Sequence, residues 1–97
     1  MLRADSDRVN DTRVLSEPEL IDVVIEVIDH VTSAQYTALL GPDVPVLSAG
    51  IVDSLVMAEL LEVLDERLGV RLALADLTYD TADSPRQIAE LVTGHQR

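Results

Sequence analysis

The apolar residues of this chain fall into three runs with helical spacing, separated by stretches rich in proline and polar turn residues. In the first run Leu20, Ile21, Val24, Ile25, Ile28 and Val31 recur three or four residues apart, the pattern of a one-sided helix. A start signal precedes it. Ser16 can cap, Glu19 completes a capping box, and Pro18 lies in the first turn, where its missing N–H costs nothing. The many β-branched residues lower helix propensity and keep a strand open. Length decides for a helix, because LIDVVIEVIDHVTSAQ would make a very long strand.

The second run, SLVMAELLEVLDERLG, is introduced by Asp53 and Ser54. Met57, Leu60, Leu61, Leu64 and Leu68 trace one face, while Glu59, Glu62, Asp65 and Glu66 take the others. Gly69 is a natural stop. Ser84-Pro85-Arg86-Gln87 repeats the first start signal, so a last helix is expected to about Val92, with Gly94 beyond it. Leu77-Thr78-Tyr79-Asp80 is expected to form one helical turn. Between the first two helices, Pro42 and Pro45 exclude a regular helix. Leu39, Leu40, Val44, Val46, Leu47 and Ile51 are nonetheless apolar there, which predicts a long loop laid over a core. Residues 1–15 show no period and are expected to be a flexible tail. The expectation is an all-α fold: a small four-helix bundle of three main helices and one short one, with a long ordered loop between helices one and two. The domain is expected to span residues 16–93, with residues 94–97 as a C-terminal tail.

Composition narrows the function. The 97 residues suit one small domain, and 47% hydrophobic content argues against a disordered acidic segment. There is no Phe, Trp or Cys, so the core must come from Leu, Val, Ile and Ala. Seven basic against 18 acidic residues give a formal charge of −11, which argues against nucleic acid and anionic membranes as partners. The same charge favours steering toward basic protein surfaces. Without cysteine, the chain's own residues supply no disulfide, zinc thiolate or thiol chemistry. No signal peptide or membrane-spanning run is evident, so a soluble, cytoplasmic monomer is expected.

Catalytic candidates are few. His30 lies within the first helix and His95 at the C-terminus, and neither has a neighbour resembling a nucleophile or metal partner. No calcium-loop pattern occurs, and Glu59 and Glu62 are spaced like ordinary helix-face charges. No catalytic residue and no metal site are therefore expected. Ser54 is different. Asp53 or Ser54 can simply cap the helix, but a hydroxyl at a helix N-terminus is also well placed to carry a phosphate ester, beside unsatisfied N–H groups and the positive dipole end. No His, Lys or Arg within several residues could deprotonate it, so a modified serine fits better than a nucleophilic one.

Gly50-Ile51-Val52-Asp53-Ser54-Leu55 resembles the signature of the acyl, peptidyl and aminoacyl carrier proteins. The likeness spans about residues 16–93. It extends to the order helix, long loop, helix, short helix, helix, to the acidic second helix and to the Gly69 stop. The resemblance implies that Ser54 receives 4′-phosphopantetheine from coenzyme A through a separate phosphopantetheinyl transferase with magnesium. The arm's thiol would then hold an acyl or aminoacyl group as a thioester, which gives a cysteine-free chain its sulfur chemistry. Further implied partners are an adenylating ligase or acyltransferase that loads cargo and a downstream transferase or synthase. Asp53, Leu55, Val56, Glu59 and Glu62 match positions of partner recognition; Leu55 and Val56 are expected to form an exposed apolar pair.

Pro42 to Ser54 and Ala75 to Pro85 look most like D-alanyl carriers and similar free-standing aminoacyl carriers. Val56 stands where fatty-acid carriers commonly place an acidic residue, which argues against a fatty-acid role. A discrete carrier in specialised polyketide or nonribosomal peptide biosynthesis is the favoured expectation. D-alanylation of a cell-wall polymer and an unmodified acidic helical adaptor are the alternatives.

Overall fold

A computed structural model describes residues 15–95. Helix α1 spans Glu17–Val31, α2 spans Ser54–Leu68 and α3 spans Pro85–His95, with single 3-10 turns at Thr37–Leu39 and Leu74–Asp76. No strand occurs among the described residues. The chain is thus an all-helical small bundle. The expected tail, residues 1–15, lies outside the described residues except for Leu15, which packs on the rim of the core.

The start of α1 is the capping box read from the sequence. The Ser16 hydroxyl accepts the Glu19 N–H at 3.4 Å, and the Glu19 carboxylate accepts the Ser16 N–H at 2.8 Å. Helix α1 packs most extensively against α3 and then against α2. Flanked on two sides, it buries a stripe rotated toward Val27 and away from Ile25 relative to the one the spacing predicts. Leu20, Ile21, Val24, Val27 and Ile28 are buried, while Ile25 and Val31 sit at the rim. Helix α2 adds Met57, Leu60 and Leu64, with Leu61 and Leu68 only partly covered. Helix α3 adds Ile88, Ala89 and Val92. Val46, Ile51 and Val52 are buried from the long loop, so that loop does lie over the core.

Three boundaries differ from expectation. Helix α1 stops at Val31 rather than running to Gln35. Thr32 Oγ1 takes the Ile28 carbonyl at 2.7 Å and the Ala34 N–H takes that of Asp29 at 2.7 Å. Ser33 and Ala34 then turn the chain with φ of 57° and 60°, left-handed values that end a helix. The expected helical turn at Leu77–Asp80 is absent; the 3-10 turn lies at Leu74–Asp76. Thr81 is the cause. Its hydroxyl donates to the Asp76 carbonyl at 2.6 Å and accepts the Thr78 N–H at 3.0 Å, closing a turn instead. The short fourth element is therefore a single 3-10 turn. Finally, α3 continues through Gly94 to His95, whose ring nitrogen lies 2.9 Å from the Leu91 carbonyl.

Candidate functional site

Ser54 opens α2, and Asp53 is its N-cap. The Asp53 carboxylate accepts the Val56 N–H at 2.9 Å. Extended backbone at Asp53, with φ −101° and ψ −173°, turns the chain into the helix. Because Asp53 does the capping, the exposed Ser54 hydroxyl makes no hydrogen bond with the described residues. It stands beside the free N–H groups of the first turn, where an anion is stabilised.

A groove of about 340 Å³ adjoins it, lined by Leu47, Gly50, Val52, Asp53, Ser54, Leu77, Thr78 and Tyr79. The long loop forms one wall and the segment after Leu74–Asp76 the other. Gly50 shapes the first wall with φ of 78°, a conformation costly for residues with a Cβ. The second wall is not legible in the sequence, which predicts Leu77, Thr78 and Tyr79 inside a helical turn. Tyr79, 67% exposed, was the available signal, as one of only two aromatic residues in the chain.

The other expected residues surround this groove in different ways. Leu55 projects outward and is 72% exposed, but Val56 is half-buried and packs on the core, so the expected exposed pair is split. Val56 follows the inward-turning side of the helix toward Met57 and Leu60. Glu59 and Glu62 are exposed on α2 and have no ion-pair partner among the described residues. No group of three or more His, Asp or Glu residues among those described could hold a metal ion. His30 is exposed and lines a separate hollow with Glu26, Val27, Val63 and Arg67. The 2.8 Å pair between Arg67 and Glu26 crosses there, about 20 Å along α2 from Ser54.

Two carboxylates tie the long loop to α3. Asp43 meets the Arg86 guanidinium through two bonds, at 2.8 and 3.1 Å. Hydrogen bonding to Arg86 lowers the Asp43 carboxyl below its ordinary range and outweighs the opposing effect of burial. Asp83 accepts the N–H groups of Leu47 and Ser48, each at 2.8 Å, and also the Ser48 hydroxyl. Burial pushes the Asp83 carboxyl up, but the bonds from Ser48 and Leu47 together outweigh it and hold the group below the usual carboxylate range.

The family model described as the phosphopantetheine attachment site matches residues 19–92. The chain belongs to that family. No curated protein and no solved structure matches it. The match covers all of α2, the groove and most of α1 and α3. Its cofactor is therefore covalently attached 4′-phosphopantetheine, and the domain is a carrier rather than a catalyst. Carrier domains of this kind interact with phosphopantetheinyl transferases and with further partner enzymes. The donor set suits such a group: an exposed, unbonded hydroxyl at a helix N-terminus, facing open space. No helix among the described residues is long and apolar enough to cross a membrane.

Proposed function

We propose that this chain is a discrete acyl or aminoacyl carrier whose Ser54 holds the 4′-phosphopantetheine arm. The observation that carries the reading is the unbonded, exposed Ser54 hydroxyl at the start of α2, next to a cap supplied by another residue. Modification costs the fold nothing there, and the helix end favours the phosphate. No His, Lys or Arg lies within several residues of Ser54 and the neighbouring Asp53 carboxylate is engaged as the cap, so the transferase is assigned the hydroxyl proton. As that happens, Oγ bonds to the pantetheine-side phosphorus of coenzyme A and the pyrophosphate bridge breaks, with adenosine bisphosphate leaving. Once attached, the arm supplies a terminal thiol that holds cargo as a thioester.

The rest of the site serves handover. Leu55 offers an apolar contact beside the arm, and Asp53, Glu59 and Glu62 present negative charge to basic partner surfaces. Val56 borders this face from its half-buried position. Residues 16–93 form the carrier unit, and a monomer suits weak, rapidly exchanging docking. We favour a cytoplasmic role in polyketide or nonribosomal peptide assembly. Loading is assigned to an adenylating ligase or acyltransferase and consumption to a transferase or synthase. The likeness of Pro42–Ser54 and Ala75–Pro85 to D-alanyl carriers supports aminoacyl cargo and keeps D-alanylation of a cell-wall polymer as the second reading.

The test is intact-protein mass spectrometry after incubation with coenzyme A, magnesium and a broad-specificity transferase, followed by loading with a panel of adenylating enzymes. One arm per chain, absent from Ser54→Ala, supports the carrier. A folded chain that gains nothing leaves the acidic adaptor as the better account.

A further inference from the structure

The two walls of the groove beside Ser54 come from distant parts of the chain, and neither is a helix or strand that fixes itself. Both are tied to one place, the start of α3. On the first wall, the Asp83 carboxylate accepts the N–H groups of Leu47 and Ser48, each at 2.8 Å, together with the Ser48 hydroxyl. The Asp83 carbonyl accepts the Val46 N–H at 2.6 Å, and the Val46 carbonyl accepts that of Val52 at 3.0 Å. The bonded stretch thus ends two residues before Ser54. On the second wall, Gln87 Nε2 donates to the Asp80 carbonyl at 3.3 Å, next to Tyr79. The two anchors are joined, because the Asp83 N–H donates to Gln87 Oε1 at 2.7 Å. Capping of α3 needs neither side chain, since Ser84 Oγ accepts the Gln87 N–H at 3.2 Å.

We propose that Asp83 and Gln87 are positioning residues for the modification of Ser54, pinning both walls that frame the serine so that the transferase meets a preformed site. The inference rests on the reading of Ser54 as the attachment residue. Without Asp83, the N–H groups of Leu47 and Ser48 lose their acceptor and the loop before Ser54 loosens. The transferase must then order that loop as it binds, and the cost falls on binding. KM for the carrier rises, while kcat, measured with the loop held in the complex, stays nearly the same. Geometry rather than charge sets the effect, because Asn retains an acceptor oxygen for the same two N–H groups.

The experiment measures initial rates of phosphopantetheine transfer from coenzyme A, with magnesium and a broad-specificity transferase. The full chain is used as wild type, Asp83→Ala, Asp83→Asn, Gln87→Ala and Arg86→Ala. Amide hydrogen exchange is followed in each unmodified protein. Asp83→Ala is expected to raise KM about tenfold, Gln87→Ala about threefold and Asp83→Asn less than about threefold, with kcat within about twofold throughout. Exchange at Val46, Leu47, Ser48 and Val52 is expected to accelerate about tenfold or more in Asp83→Ala, while Val24 and Ile28 in α1 keep their protection. Arg86→Ala, which breaks the pair with Asp43 at the far end of the loop, is expected to loosen only the residues around Asp43 and to leave KM and the exchange of Leu47, Ser48 and Val52 unchanged. Wild-type KM in both Asp83→Ala and Gln87→Ala overturns the inference, as does equal loss of protection in α1 and the loop. If Asp83→Ala does not fold, an unchanged KM in Gln87→Ala overturns it. A wild-type chain that takes no arm overturns the reading of Ser54 itself, whereas equal modification of all variants leaves that reading intact and removes only the positioning role.

Discussion

Leu47 donates its backbone N–H to the carboxylate of Asp83, 36 positions further along the chain, at 2.8 Å. The long loop and the start of α3 are therefore one hydrogen-bonded unit, to which ionisation of Asp83 adds stability beyond the bonds that a neutral acceptor would keep. Burial raises the Asp83 carboxyl, but the bonds from Ser48 and Leu47 lower it further, so its folded value lies below the ordinary one of about 3.9. A depressed carboxylate contributes stability that is complete above the unfolded value and is lost as pH falls through the folded one. The stability difference between wild type and Asp83→Asn should hold steady from about pH 5 to pH 8 and close below about pH 4. Urea unfolding at a series of pH values checks this; a gap that widens on acidification contradicts it.

Ala34 sits at φ of 60° with its N–H bonded to the Asp29 carbonyl at 2.7 Å. A Cβ in this region costs about 1–2 kcal/mol, and glycine returns part of that through unfolded-state entropy. Ala34→Gly should stabilise the chain by about 0.5–1 kcal/mol, read as a higher urea midpoint at unchanged slope. A lower midpoint would show that the turn does not hold this residue in the left-handed region.

Leu60 and Leu55 lie five residues apart on α2 and should behave oppositely. Leu60 is fully buried, so Leu60→Ala should cost about 2–5 kcal/mol through lost burial and the cavity left behind. Leu55 is 72% exposed, so Leu55→Ala should change stability by less than about 0.5 kcal/mol. The Leu55 variant should instead slow transfer of the arm. Thermal melts and transfer rates on the same samples separate the two effects.

The parts of this account that sequence made legible are local ones. The Ser16–Glu19 box, the Ser84 cap, the Gly69 stop and the faces of α1 and α2 all follow from residues within a few positions of one another. The place of Ser54 at a helix start follows from local residues in the same way. What escaped was set by contacts across the chain. Val27 is buried because α1 is covered on two sides, and Val56 because the helix turns it toward the core. Asp83 carries no local signal in the sequence, although its carboxylate serves Leu47 and Ser48, more than thirty positions away. The turn at Thr78–Thr81 went unread because two threonine hydroxyls compete there with helical bonding.

Glu59 and Glu62 are exposed on α2 and give the proposed docking face a charge that can be tested. Replacing both with lysine should raise KM for a basic-faced transferase several-fold and leave the helical spectrum intact. For wild type, transfer at low carrier concentration should slow as salt rises, because ions screen exposed charges over about 10 Å at 0.1 M. Equal salt dependence in wild type and the double variant would remove these two residues from the docking face.

Attachment of the arm to Ser54 is the central claim, and fragment mass spectrometry of the modified chain tests it most directly. After transfer from coenzyme A, the added mass should map to Ser54 alone and not to the nearby exposed Ser48. Ser54→Ala should remain folded, since Asp53 supplies the cap, and should gain no mass. An arm found on any other residue, or retained by Ser54→Ala, contradicts the account.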